Sequence, residues 1–141
     1  MFKNVLLAVD LNVPGSWKRA LPAAIEVCRH ESATLHVLTV VPGIDPSISP
    51  YFPHDANSKM LRKAAEDLRQ FVKENVPPEV RAKDMVSQGS IYREILDATE
   101  KVGADLVVMA SHKPEVTDYL LGTNAAHVVR HCPRSVLVVR G

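Results

Sequence analysis

The chain has 141 residues, 46% hydrophobic and 23% charged, with 17 basic residues against 16 acidic ones. That length and apolar content exclude a disordered chain and predict a single domain, residues 1–141, with a sizeable core. A formal charge of +1 gives no electrostatic reason to expect nucleic acid or a membrane surface as partner. No segment holds the ~20 apolar residues that span a bilayer. The N-terminus runs from Met1 and Phe2 straight into a short apolar strand, unlike a signal peptide, so a cytoplasmic location is expected. The two cysteines, Cys28 and Cys132, lack CxxC spacing and read as packed thiols rather than a disulfide.

The continuous apolar run Val5–Val9 has the mark of a strand buried on both faces, and Asp10 stands at its C-terminal end. Pro14 and Gly15 make a loop, with Ser16 as the expected N-cap of a helix over Trp17–Arg29. A second strand is predicted over Thr34–Val41, stopped by Pro42. Residues 42 to 57 carry Pro42, Pro46, Pro50 and Pro53 and read as a long loop. An amphipathic helix over Ser58–Glu74 follows, with Met60, Ala64, Leu68 and Phe71 on one stripe. Pro77 and Pro78 end it, and Val80–Val86 reads as a weaker, more polar edge strand. Gly89 and Ser90 lead into a helix over Ile91–Lys101 with Ile91, Ile95 and Ala98 inward, and Gly103 suits its C-cap. Leu106–His112 is a further buried strand, then comes the polar loop Lys113–Asp118. Gly122 and Thr123 open a helix that runs to Arg130, and Ser135–Arg140 closes the chain as a fifth strand.

Strands alternating with helices predict an α/β fold: a five-stranded, mostly parallel sheet with helices on both faces and strand order 3-2-1-4-5. Ligands of such sheets bind beyond the C-terminal strand ends at the switch point, here between strands 1 and 4. That places Ala8, Val9 and Asp10 on one side and Met109, Ala110, Ser111 and His112 on the other, with Val40 flanking and Gly122, Thr123 and Asn124 opening the last helix over the crevice. Backbone N–H groups and the positive end of a helix dipole converge there, which suits an anion. Each residue also has a plainer reading. Asp10 suits a loop cap, His112 a hydrogen-bonded turn, and Gly122 close helix–sheet packing.

Constellations for catalysis are missing: the sequence holds no GxSxG, no P-loop and no HExxH. His127 and His131 stand four apart on a helix, a spacing that can grip a metal, yet no acidic ligand lies between them and a solvent-facing helix end accounts for both.

The segments Val5–Asp10, Leu35–Val41, Gly89–Ile91, Ala104–His112, Leu120–Asn124 and Pro133–Arg140 together resemble the universal stress protein family, over essentially the whole chain. The resemblance implies a Rossmann-like, five-stranded parallel fold in a small cytoplasmic stress-response protein, commonly a dimer paired through the last strand. Many members bind ATP through a pattern G-x-x-G, nine residues, then G-[S/T]. Here Ala110 and Lys113 occupy the positions of the first two glycines, and the loop to Gly122 is one residue short. The stretch Ser111–Asn124 is similar to a small bacterial F/G-type subgroup. The resemblance thus implies ATP, with magnesium as an optional companion, contacted by Ala8, Val9, Asp10, Val40, Met109, Ser111, His112, Lys113, Gly122, Thr123 and Asn124. Val40 and Met109 would meet the adenine, Asp10 the adenosine end, and Ser111, Gly122 and Thr123 the phosphates. Lys113 would neutralise phosphate charge. Slow ATP hydrolysis and a nucleotide-free interaction protein are the two alternatives.

Overall fold

In a computed structural model, which describes residues 1–43, 47, 49–51, 53–111 and 122–140, five parallel strands form one sheet. The strands are β1 (Asn4–Ala8), β2 (Thr34–Val41), β3 (Ala82–Gln88), β4 (Leu106–Ser111) and β5 (Ser135–Arg140). Their order across the sheet is β3-β2-β1-β4-β5, as the alternation of elements predicts. In register, Leu7 lies beside Val37 on one flank and Val108 on the other.

The apolar runs of β1, β2 and β4 feed two cores, because successive side chains point to opposite faces. Val5, Leu7, Leu35, Val37 and Val108 face α1 (Ala20–Glu31) and α2 (Ala56–Asn75). Leu6, Leu38, Val107 and Met109 face α3 (Ile91–Val102) and α4 (Thr123–His131). Leu6, Leu7, Leu35 and Leu38 are fully buried, and each such side chain contributes about 1.5–3 kcal/mol through the water it sheds. Helices therefore cover both faces, and this central position of β1 and β4 opens the switch-point crevice between them.

Several predicted boundaries move, for identifiable reasons. Residues Pro14–Ser16 form a 3₁₀ turn and α1 begins at Ala20, so Ser16 is not its cap. The Ser16 hydroxyl is occupied by the backbone of Asp10. β3 starts at Ala82, because Val80 is already buried in the turn that precedes it. Helix α2 begins two residues earlier than expected, at Ala56. Met60 and Ile91, both expected inward, are 37% and 44% exposed. Gly103 ends α3 with φ +65°, the left-handed conformation that glycine takes without strain. Asp105 works at the sheet end opposite the crevice. Its carboxylate accepts the N–H groups of Lys3 (2.9 Å) and Asn4 (3.1 Å), which anchors the start of β1. The expected loop Lys113–Asp118 lies outside the described residues.

Candidate functional site

The crevice lies where the parallel neighbours β1 and β4 end side by side. Two adjoining cavities occupy it. One, of about 160 Å³, is walled chiefly by apolar side chains: Ala8 and Val9, Leu38 and Val40 of β2, Met109, and Ile91 and Ile95 of α3. The other, of about 330 Å³, lies against the start of α4 and takes in Val13, Gly122, Thr123 and Ala125. Asp10, Ser16, Met109, Ala110 and Asn124 line both, so they mark where the two meet. Asp10 is the one ionisable side chain among the described residues lining either.

The first turn of α4 leaves backbone N–H groups without intrahelical acceptors, as every helix start does. Gly122, at its N-cap, has no side chain to cap them. Its own N–H donates to the Ser111 hydroxyl at 2.9 Å. Ser111 is buried, at 8% exposure, and therefore fixes the helix start from below rather than standing open in the crevice. The helix-start donors that remain are the N–H groups of Thr123, Asn124 and Ala125, which line the second cavity. They lie at the positive end of the α4 dipole.

Gly122 does not serve close helix–sheet packing. Its φ of −58° suits any residue, and among the described residues a Cβ built there meets only Ser111 Oγ, at 3.9 Å. Nothing in the described fold requires glycine at this position. What the missing side chain does is leave the cavity wall bare.

Asp10 combines its two readings. Its Oδ1 accepts the N–H of Asn12 at 3.0 Å, a turn-stabilising bond, while the side chain stands exposed at the crevice wall. Ser16 then ties the loop shut. Its Oγ accepts the Asp10 N–H at 2.8 Å and donates to the Asp10 carbonyl at 2.9 Å.

Of the residues singled out from sequence, Ala8, Val9, Asp10, Val40, Met109, Gly122, Thr123 and Asn124 come together around these cavities. His112 and Lys113 lie outside the described residues. Sequence reasoning missed Leu38, Ile91, Ile95 and Ser16. Leu38 and Ile95 read as core and are core, since both are fully buried. Ser16 carried a signal, a hydroxyl in a Pro-Gly loop after a strand-end Asp, but that signal is shared with helix caps. The pair His127 and His131 stacks in a ladder, with Tyr92 4.4 Å from His127 and His131 6.2 Å beyond. Among the described residues no group of three or more His, Cys, Asp or Glu is placed to hold a metal.

Comparison with known proteins agrees with this architecture. The sequence profile of the Universal stress protein family matches residues 1–140. Universal stress protein G of Escherichia coli O157:H7 is 32% identical over 143 residues, covering 99% of this chain and 100% of the relative. A universal stress protein family protein from Arabidopsis thaliana, solved with AMP bound, superposes with a TM-score of 0.66 at 22% identity, over 98% of this chain and 91% of that one. A universal stress protein solved in complex with cAMP gives a TM-score of 0.64 at 21% identity, over 99% and 97%. The chain belongs to the universal stress protein family.

Proposed function

We propose that the chain binds an adenine nucleotide, ATP, in this crevice and acts as a stress-response protein through conformation or partners rather than by turnover. The observation that carries the reading is the crevice's polarity. One end is walled chiefly by apolar side chains, as suits a purine, and the other lies against the uncapped start of α4, as suits a phosphate. Val40 and Met109 would flank the base and Asp10 the sugar. Thr123 and Asn124 would donate backbone N–H groups to phosphate, on a turn that Ser111 and Gly122 hold in place. The AMP and cAMP complexes of two proteins of this fold support an adenine nucleotide as the ligand class.

The same reading takes the protein as a cytoplasmic homodimer paired through β5. That strand is an edge of the sheet and exposes Leu137 at 37%, and a strand edge carrying apolar side chains invites association. Among the described helices none is long and apolar enough to cross a membrane.

The test is to denature freshly purified protein and identify released nucleotide by chromatography and mass spectrometry. Near-stoichiometric ATP is expected. ADP in its place would bring hydrolysis forward. A protein that is empty and also fails to bind added ATP refutes the reading and leaves an interaction protein of the same fold.

A further inference from the structure

Ser16 lines both cavities, yet its hydroxyl is already committed on two sides to Asp10. A hydroxyl has one proton and two lone pairs. The proton goes to the Asp10 carbonyl and one lone pair takes the Asp10 N–H. A single lone pair is left, so towards a ligand Ser16 acts only as an acceptor. The Asp10 carboxylate beside it also only accepts when ionised, and Asn12 already holds one of its oxygens. The Asp10 and Ser16 side chains at the corner where the two cavities meet thus only accept, whereas Asn124, the other polar residue there, can also donate, and the pair suits a ligand that carries O–H or N–H donors at its middle.

The corner is also preorganised. Val13 N–H donates to the Asp10 carbonyl at 3.0 Å and Ser16 N–H to the Val13 carbonyl at 2.9 Å. The next residue, Trp17, packs edge-on against Phe71 of α2 with centroids 5.0 Å apart. A hydroxyl held this way loses little freedom when it accepts a further hydrogen bond, so the bond discriminates well between ligands that have the donor and those that lack it.

We propose that Ser16 is a specificity-determining residue: its remaining lone pair, beside the Asp10 carboxylate, selects a nucleotide whose sugar has free hydroxyls over one that lacks them. The inference rests on the nucleotide reading, since a base in the apolar end and phosphate at α4 place the sugar at this corner. Ser16 thereby acts as a ligand acceptor as well as a loop tie.

The test compares binding of ATP, 2′-deoxy-ATP and 3′-deoxy-ATP by calorimetry to the full chain, its Ser16→Ala variant and its Ser16→Thr variant. Wild type is expected to prefer ATP over at least one deoxy form by about tenfold, the worth of one hydrogen bond. In Ser16→Ala that preference should shrink to about twofold, chiefly through weaker ATP binding, whereas Ser16→Thr, which keeps the hydroxyl, should restore it. Equal binding of all three nucleotides by wild type overturns the Ser16 role and leaves nucleotide binding standing. Equal weakening of all three in Ser16→Ala, with the preference intact, shows a loop tie and nothing more, and also overturns it. Should Ser16→Ala fail to fold, Ser16→Cys, whose thiol fills the same space but accepts only weakly, takes its place with the same expected and overturning outcomes. No binding of any nucleotide to wild type sinks the functional reading itself, and this inference with it.

Discussion

Replacing Gly122 by alanine separates the fold's needs from the ligand's. Among the described residues the added Cβ meets only Ser111 Oγ, at the ordinary contact distance of 3.9 Å, and φ of −58° is open to alanine. Two small effects on stability oppose each other. Alanine at an N-cap position costs about 0.5–1 kcal/mol relative to glycine. Restricting the unfolded chain returns about 0.4–1 kcal/mol. The net change in unfolding free energy should therefore lie within about 1 kcal/mol, read as a urea midpoint at unchanged slope. Binding should behave differently. The methyl group stands at the wall of the second cavity, where an anion would approach the Thr123 and Asn124 N–H groups. Lengthening or losing one hydrogen bond to a charged group costs about 1.5–3 kcal/mol, which is roughly a 10- to 100-fold loss of ATP affinity. Titration calorimetry on wild type and Gly122→Ala measures this. ATP affinity unchanged within about twofold in a fully folded variant would refute the placement of the phosphates at α4. A loss of more than about 2 kcal/mol of stability would refute the statement that the fold has no need of this glycine.

Two further outcomes follow from buried groups away from the crevice. His36 of β2 is 7% exposed, its Nε2 lies 2.9 Å from Asn4 Oδ1, and burial together with the charge of Lys83 on the neighbouring strand pushes its pKa below the ordinary histidine value. The neutral form is favoured in the folded state, so its contribution is fully present above the unfolded pKa of about 6.5 and is lost as pH falls through the lower folded value. The urea midpoint should drop from pH 7.5 to pH 5 more steeply in wild type than in His36→Gln, and parallel pH profiles would refute this. Cys28 is 2% exposed and burial raises its thiol to about 11, so native protein at pH 8 should alkylate first at the half-buried Cys132, with Cys28 reacting only on unfolding. Mass mapping after iodoacetamide pulses checks the order.

What the sequence made legible was set by periodicity. Predominantly apolar strand segments at Val5–Val9, Thr34–Val41 and Leu106–His112 have one physical solution in a chain with helices between them, a doubly covered parallel sheet, and its order followed from chain connectivity. The strand-end residues of the site were legible for the same reason, because the switch point is a property of strand order. Less legible were residues that do two things. Leu38 and Ile95 belong to the core by burial and to the cavity by position, and only their packing shows the second. Ser16 looked like a helix cap because the requirement for a cap and the requirement for a loop tie select the same side chains. For Gly122 the sequence left a ligand role beside a plainer packing role, and the open space around it removes the packing role. Asp105, which the family resemblance drew together with the β4 run, proved to anchor β1 at the far end of the sheet.

This division also says where binding can be tested without confounding it with folding. Leu38, Ile95 and Met109 hold the apolar end of the crevice and the α3–α4 core at once. Truncating Leu38 or Ile95 to alanine would cost about 2–5 kcal/mol of stability, a large part of what a domain this size has. Any loss of nucleotide affinity there would be uninterpretable. Ser16, Asp10 and Gly122 stand on the loop and the helix start outside both cores. Ala110, where the family's pattern has glycine, pairs with Val139 in an ordinary parallel ladder, so a strand there makes no demand for glycine's freedom. Ala110 lines the junction of the two cavities and also packs against the α1–α2 core. Restoring glycine at 110 would then widen the junction at the cost of strand propensity and of one methyl group's packing against the core, so the affinity change reports on the ligand's fit once a urea midpoint has set that stability cost apart.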